Sequence, residues 1–337
     1  MCTTSTCTAD VAGTTTITAV HPDVIRSHIL NRLDGAALAA ASCTSPQLRS
    51  LCREDWLWRE ICNSTWPSTA DPAIRAAISA LPSGHRSLYS DCFPSARPHP
   101  SSHGKTILPP EFLISAVDIY FAGRLIHSKV LKTETLSGWF QRSPFRLDLL
   151  SPKETLRTPL QFDDDWAARA AALLRVSWIL IDPRRGRAVN VAGSCSVEAR
   201  RDWLTGDLQL RYATVVDGGG GEMFLGGVEV VVAAGENVSV REVSVRLEDV
   251  EGRVVAGADG LRVLGLAMEG RRWRADGEAE RGAYEMFVRA KVGYRERKER
   301  RERRMDLACV AAGVWIFVSI LVFFSVRMKI SFGGIMF

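Results

Sequence analysis

Several catalytic signatures are missing from this chain of 337 residues. It has no Gly-x-Ser-x-Gly elbow and no His-Glu-x-x-His pair, which argues against a serine hydrolase or a zinc peptidase. Its cysteines are Cys2, Cys7, Cys43, Cys52, Cys62, Cys92, Cys195 and Cys309, with no Cys-x-x-Cys spacing among them. A zinc site therefore lacks its usual ligand pattern, and free thiols in a reducing compartment are expected. The first twenty residues contain no basic residue and no apolar core. No cleaved secretory signal is expected there, and the Thr-rich composition predicts a disordered tail over residues 1–19.

The glycine run Gly218–Gly221 is not followed by Gly-Lys-Ser/Thr, so it reads as a loop rather than a phosphate cradle. Asp163-Asp164-Asp165 is the only dense carboxylate cluster. Adjacent carboxylates in an extended chain point in different directions. Asp165 reads instead as a cap for a helix beginning at Trp166. No catalytic residue, metal ligand or cofactor is assigned.

A spread of positive charge is lacking too. The net charge is +5, but Arg295–Arg304 alone holds seven basic and three acidic residues, leaving the rest close to neutral. A globular nucleic-acid binder spreads a basic face over its fold, so no nucleic-acid partner is expected.

What the chain does have is a division between its two ends. Leu307–Val326 is a run without charge, bounded by Asp306 and Arg327. As a helix of twenty residues it spans about 30 Å, the thickness of a bilayer core. Only eleven residues follow it, so the expectation is a tail anchor inserted after synthesis. Lys and Arg beside a span favour the cytosolic side, which would leave the bulk of the chain in the cytosol. Glu296 with Arg300, and Glu299 with Arg303, have the four-residue spacing of helical ion pairs. Arg295, Arg297, Lys298, Arg300, Arg301, Arg303 and Arg304 are the candidates for contact with anionic lipid headgroups. A nuclear-localisation signal and a merely solvated helix are the competing readings. Of the sequons at Asn63 and Asn237, modification at Asn237 would reveal the opposite orientation.

The other end carries a compact helical pattern over His21–Trp66. Pro22 suits a first helical position and Asp23 the positive end of the helix dipole. Ile25, Ile29 and Leu33 repeat every four residues with Leu30 beside them. Asp34 can cap a second helix containing Leu38 and Ala41, and Ser45-Pro46 starts a third with Leu48 and Leu51 inward. Trp56, Leu57, Trp58, Ile61 and Trp66 close the unit. Three short helices cannot bury so many large side chains among themselves, so part of this surface must meet a partner or the following domain.

This segment resembles an F-box, through His21-Pro22, Ile29-Leu30-Asn31-Arg32-Leu33, Leu38, Leu57-Trp58 and Trp66-Pro67. His21 stands where the family usually has Leu, and Thr44–Arg49 lacks an aromatic often found in the third helix. The resemblance implies docking to the Skp adaptor of an SCF ubiquitin ligase, and through it to the cullin. By position, the contacts it implies are Pro22, Ile29, Leu30, Leu33, Leu38, Leu57 and Trp58. The competing reading is that these residues are simply the core of a helical subdomain.

Between the ends, a helical extension is expected over 68–93 and a Pro-rich linker over 94–110, where His99 and His103 read as solvated. Short apolar segments then alternate with turn residues over 111–290: Ser115–Phe121, Leu173–Asp182, Asp207–Val216, Gly227–Ala233, Val238–Leu247 and Leu261–Met268. Their spacing predicts an antiparallel sandwich interrupted by one helix, Asp165–Leu174. Through Ser115–Phe121, Phe145–Leu150, Ser177–Asp182 and the later strands, this region loosely resembles a phloem-lectin-like domain. That resemblance implies a carbohydrate- or protein-recognition sandwich with an unknown protein or glycoprotein as target, though no glycan-binding residue is transferred.

The expected fold class is α+β: a small three-helix F-box module at 20–67, a β-sandwich-like domain, a basic helix over 291–306, a transmembrane helix over 307–326 and a short tail over 327–337. The expected function is that of a non-catalytic, membrane-tethered substrate receptor of a ubiquitin ligase. A membrane-anchored lectin-like or scaffold protein that binds the adaptor without directing degradation is the alternative.

Overall fold

In the computed structural model the described residues are 20–92, 95–96, 108–218, 221–235, 238–270, 272–273 and 277–333. The expected tail over 1–19, most of the 94–110 linker with His99 and His103, the sequon residue Asn237, and the last residues of the 327–337 tail lie outside them.

The first helix is irregular. A single turn α1 (Pro22–Val24) widens over Ile25–Ile29 and tightens over Leu30–Arg32. His21 Nδ1 accepts from the Asp23 amide at 3.3 Å, so the imidazole caps the helix. Then come α2 (Gly35–Ala41), α3 (Pro46–Leu51) and α4 (Asp55–Thr65), followed by a tight turn Pro67–Ala70, α5 (Pro72–Ser79) and α6 (Gly84–Cys92). Asp34 caps α2, Ser45 caps α3 and Asp71 caps α5, each through a side-chain oxygen accepting a backbone N–H.

The β-rich part comprises β1 (Ser95–Ala96), β2 (Phe112–Phe121), β3 (Arg124–Glu134), α7 (Gly138–Arg142), β4 (Arg146–Asp148), β5 (Leu156–Arg157), α8 (Trp166–Leu173), β6 (Leu174–Asp182), β7 (Arg187–Asn190), β8 (Glu198–Arg201), β9 (Leu208–Asp217), β10 (Met223–Ala233), β11 (Ser239–Glu248), α9 (Gly257–Glu269) and β12 (Arg272–Trp273). One sheet has the order β3-β2-β6-β7 and a larger one β4-β11-β10-β9-β8, with β5 also on β11. The pairings within both are antiparallel. A bulge between Val231 and Val232 shifts the β10–β11 register. The α+β class and the antiparallel sheets match the sequence expectation.

Side-chain alternation explains how the two sheets stack. On β6, Leu174, Val176, Trp178 and Leu180 join Leu210, Tyr212, Val228, Val230 and Val245 of the larger sheet in a core that α8 and α9 cover. Ile179 and Ile181 point the other way, with Ile114 and Ala116 of β2, into a second core shared with the helices. The central strands β2 and β6 of the smaller sheet are thus buried on both faces, which is why β6 reads Leu-Arg-Val-Ser-Trp-Ile-Leu-Ile-Asp with so little polar alternation. Its back face is what the N-terminal helices rest on.

Three differences from the sequence expectation stand out. Leu261–Met268, expected as a strand, lies in the helix α9. Leu261, Leu264 and Met268 have helical spacing, and Val263 and Ala267 are also buried. Asp165 precedes α8 but its side chain makes no capping bond; the neighbouring Asp163 instead pairs with Arg169 of α8 at 2.5 Å. The third is the C-terminal helix α10, which runs unbroken through Gly277–Gly333 and so begins inside the expected β-rich region. At 1.5 Å per residue it is about 85 Å long.

Candidate functional site

The N-terminal helices form a unit whose apolar side chains fall into two sets. Leu30, Leu38, Leu57 and Trp58 are buried, in one core with Leu48, Leu51 and Ile25. Trp58 Nε1 donates to the Cys52 carbonyl at 2.7 Å, which satisfies the indole inside that core. Tyr89 of α6 stacks at 5.4 Å from Trp58 and 5.8 Å from Trp66. Gly35 lies so close to this ring that a Cβ there would sit 2.1 Å from Tyr89 Cζ. Cys62 is buried in the same core, and burial pushes its thiol up to about 12, leaving it protonated and unreactive.

The second set is open. Ile29 is 39% exposed, Val24 45% and Trp56 37%, while Pro22 and Leu33 are half-buried. Polar contacts fix Trp56 beside the first helix: its Nε1 donates to Glu54 Oε2 at 2.7 Å, and Glu54 Oε1 accepts from Arg26 Nε at 2.7 Å. Arg26 also bonds Asp23 at 2.8 Å. Of the seven positions expected to meet an adaptor, Pro22, Ile29 and Leu33 reach the surface; Leu30, Leu38, Leu57 and Trp58 support it from beneath. Val24 and Trp56 are the apolar surface residues that the motif comparison missed. Trp56 was visible as an unpaired aromatic beside Leu57-Trp58, but only the fold turns it outward.

Two buried carboxylates join this unit to the smaller sheet. Asp118 of β2 accepts from the Ser68 amide at 2.9 Å, Ser68 Oγ at 2.6 Å and Ser128 Oγ at 2.7 Å. Burial outweighs these donors and raises its pKa. Asp91 of α6 accepts from the Ala188 amide at 3.0 Å and pairs with Arg187 at 3.1 Å.

The outer face of the larger sheet is charged near its centre. Arg211 pairs with Glu229 at 2.5 Å and Glu248 at 3.3 Å, and Arg246 pairs with Glu229 at 3.0 Å. Beside this network the start of α10 docks through Phe287, which packs with Ala213, Val215 and Leu225. Tyr284 donates to Glu198 at 2.6 Å, and burial first, then this bond, pushes its hydroxyl up to about 12. Lys291 lies 3.6 Å from Glu248, and Tyr294 bonds Glu251. Beyond Tyr294 the helix leaves the domain. Arg295, Arg297, Lys298, Arg300, Arg301, Arg303 and Arg304 are exposed along it, with Glu296–Arg300 and Glu299–Arg303 ion pairs at 2.9 and 3.9 Å. Among the described residues α10 is the one helix long and apolar enough to cross a membrane.

The fold is thus a small helical unit with a partly exposed apolar rim, packed against a β-rich domain. Residues 22–64 match the F-box-like family model. The chain is 40% identical to F-box protein At2g27310 of Arabidopsis thaliana over 95% of its own length and 99% of that protein's. It is 40% identical to F-box protein At3g44326 of the same plant, covering 92% and 90% of the two chains, and 38% identical to probable F-box protein At2g36090, covering 91% and 93%. The chain belongs to the F-box protein family. The similarity to these three relatives extends over the β domain as well as the helices. No solved structure matches it.

Proposed function

We propose that this protein is the substrate-recognition subunit of an SCF-type ubiquitin ligase, docking the Skp adaptor through its helical module and tethered to a membrane by α10. The observation that carries the reading is the F-box-like match at 22–64 together with the apolar rim of Val24, Ile29 and Trp56 that the fold leaves uncovered. Pro22, Ile29 and Leu33 contact the adaptor directly, joined by Val24 and Trp56. Leu30, Leu38, Leu57 and Trp58 set the shape of that surface. Full burial of a large apolar side chain contributes about 1.5–3 kcal/mol; the rim side chains are already more than half covered, so each adds less than half of that on binding.

Tethering rests on the uncharged Leu307–Val326 segment of α10 and its basic approach. With Lys and Arg on the cytosolic side, the domain samples targets on or near one membrane, which raises their effective concentration. The chain transfers no ubiquitin itself; it brings a protein or glycoprotein target near the cullin-bound machinery.

Co-expression with the Skp adaptor and cullin tests this. Ile29→Asp and Trp56→Asp abolish co-purification of both while the melting temperature stays unchanged. Retained adaptor binding in the two variants overturns the docking surface. Adaptor binding by the wild type without cullin supports the scaffold alternative instead.

A further inference from the structure

The end of the β domain from which α10 departs carries an exposed apolar turn that adaptor docking does not use. It lies between β3 and α7, where Leu136 is 47% exposed and Trp139 79%. Both ends of the turn are pinned. The buried Thr135 donates its amide to the Glu111 carbonyl at 3.1 Å and its hydroxyl to the Pro110 carbonyl. On the other side Ser137 Oγ accepts from the Phe140 amide at 3.2 Å, and Phe140 is buried in the main core. A fixed turn thus presents an indole and an isobutyl group to solvent.

Hydrogen bonds place this turn beside the exit of α10. The chain leaving α7 is joined to the segment after β11: the Phe145 amide donates to the Val255 carbonyl at 2.7 Å, and the Gly257 amide to the Ser143 carbonyl at 2.8 Å. Just before that segment is the turn on which α10 rests, through Lys291 with Glu248 and Tyr294 with Glu251. The adjoining charges have both signs, Arg142 and Arg253 against Asp249, Glu251 and Asp259. The apolar side chains, not the charge, therefore set what this surface fits.

The stalk of α10 is asymmetric. Tyr284, Phe287, Lys291 and Tyr294, spaced by three and four residues, form the line that meets the domain. The same spacing continues through Lys298 and Arg301, so these two face the side on which the domain sits. Neither forms an ion pair among the described residues, although Glu302 stands four positions after Lys298. Arg297 and Arg304 flank Arg301 and are likewise unpaired, with Arg295 unpaired on another side, whereas Arg300 and Arg303 are paired with Glu296 and Glu299. An anionic leaflet attracts such uncompensated cations. The stalk from Arg295 to Asp306 is about 18 Å of helix, so upright it holds the domain clear of a bilayer. Leaning toward its cationic side lowers the domain, and a lean of up to about 40° is within the range of spanning helices.

We propose that the turn at Leu136 and Trp139 is a second membrane contact, which seats in the headgroup layer of the bilayer that α10 crosses. An indole suits that layer because its body is apolar and its N–H polar. This inference rests on the membrane-tethered reading and extends it from the helix to the β domain.

The test uses the full chain, one copy per lipid nanodisc of mixed phosphatidylserine and phosphatidylcholine. Phosphatidylcholine with brominated acyl chains quenches the tryptophans it touches. The wild type shows a quenched component that Trp139→Tyr lacks, while Trp315 in the span is quenched in both. Discs of phosphatidylcholine alone, or Lys298→Glu combined with Arg301→Glu, remove at least about half of that component. Amide protection over residues 135–143 is about tenfold higher in the wild type than in a Leu136→Glu, Trp139→Glu double variant. Melting temperature and adaptor binding are unchanged in every variant.

Equal quenching of the wild type and Trp139→Tyr overturns the proposal, and so does quenching indifferent to reversal of Lys298 and Arg301. A component that appears only in discs holding two copies assigns the turn to a second chain and overturns it as well. If Trp315 is quenched and Trp139 is not, the turn alone is wrong. If the chain never enters the disc and Trp315 stays unquenched, the tether itself fails and this inference with it.

Discussion

Asp118 Oδ2 lies 2.6 Å from Ser68 Oγ, although the two residues are fifty positions apart in the chain. One comes from the middle of a sheet and the other from the turn that ends the docking module. The buried bond ties the N-terminal helical unit to the β domain.

Removing that carboxylate leaves the Ser68 amide, the Ser68 hydroxyl and the Ser128 hydroxyl without their acceptor. Asp118→Ala lowers stability by about 2–4 kcal/mol, since buried donors lose bonds to a charged group. Chemical denaturation of the two proteins measures it. A change below about 0.5 kcal/mol would show that the junction does not matter to stability.

The same group gives a pH dependence. Burial raises the folded-state pKa of Asp118 above its unfolded value. Its contribution is therefore fully present below the unfolded pKa and is lost as pH rises through the folded one. As pH rises from the unfolded pKa through the folded one, Asp118→Asn has a flatter stability profile than the wild type. Parallel profiles from thermal melts would contradict this.

Gly35 tests the packing of the docking module. Alanine there drives a methyl into the Tyr89 ring, which is itself wedged against Trp58 and Trp66. Gly35→Ala costs about 1–3 kcal/mol and reduces adaptor binding along with the melting temperature. Gly138→Ala, where nothing lies within 4 Å of the new methyl, is the matched control and leaves stability within about 0.5 kcal/mol.

Leu57 and Trp58 differ from the rim residues in what their loss does. Leu57→Ala opens a cavity and costs about 2–5 kcal/mol. Trp58→Phe also deprives the Cys52 carbonyl of its indole donor. Both variants lose adaptor binding together with stability, unlike Ile29→Asp. Adaptor binding lost at an unchanged melting temperature in Leu57→Ala would place that side chain at the interface itself.

Membrane attachment has its own readout. Intact vesicles carrying the full chain, treated with protease, lose every epitope before Leu307 and retain the span. Deleting Leu307–Val326 releases the protein to the soluble fraction. Protection of the F-box epitope would mean the reverse orientation.

Docking of α10 on the sheet predicts graded hydrogen exchange. Phe287 is 1% exposed against Ala213, Val215 and Leu225. Phe287→Ala speeds exchange over 277–294 while leaving β2 and β6 protected, because a docked helix end opens locally before the domain unfolds. Uniform loss of protection would mean that the helix is integral to the global fold.

Much of this protein was fixed by local pattern. The caps at Asp34 and Ser45 and the uncharged run after Asp306 depend only on neighbours in sequence, so α2, α3 and the apolar helix were legible directly. The four-residue repeat from Ile25 did not become a single apolar face: Ile25 is buried, Ile29 is exposed and Leu33 lies in extended backbone beyond an irregular helix. The strand segments at β2, β6, β9, β10 and β11 were legible as well, from their apolar content and turn residues. α9 was misread because a short apolar run carries helix and strand signals at once. The exposed strand β3, with its lysines and arginine, offered too little apolar alternation to be noticed.

Tertiary structure alone decided which docking residues face outward. Leu30, Leu38, Leu57 and Trp58 look like Ile29 and Trp56 in composition, yet the first four belong to one core that also takes in residues of α5, α6 and the back of a sheet formed much later in the chain. Burial is a property of long-range neighbours, and no local spacing contains them. For the same reason only the fold could tie Asp118 to Ser68 and bring α10 down onto Ala213 and Val215.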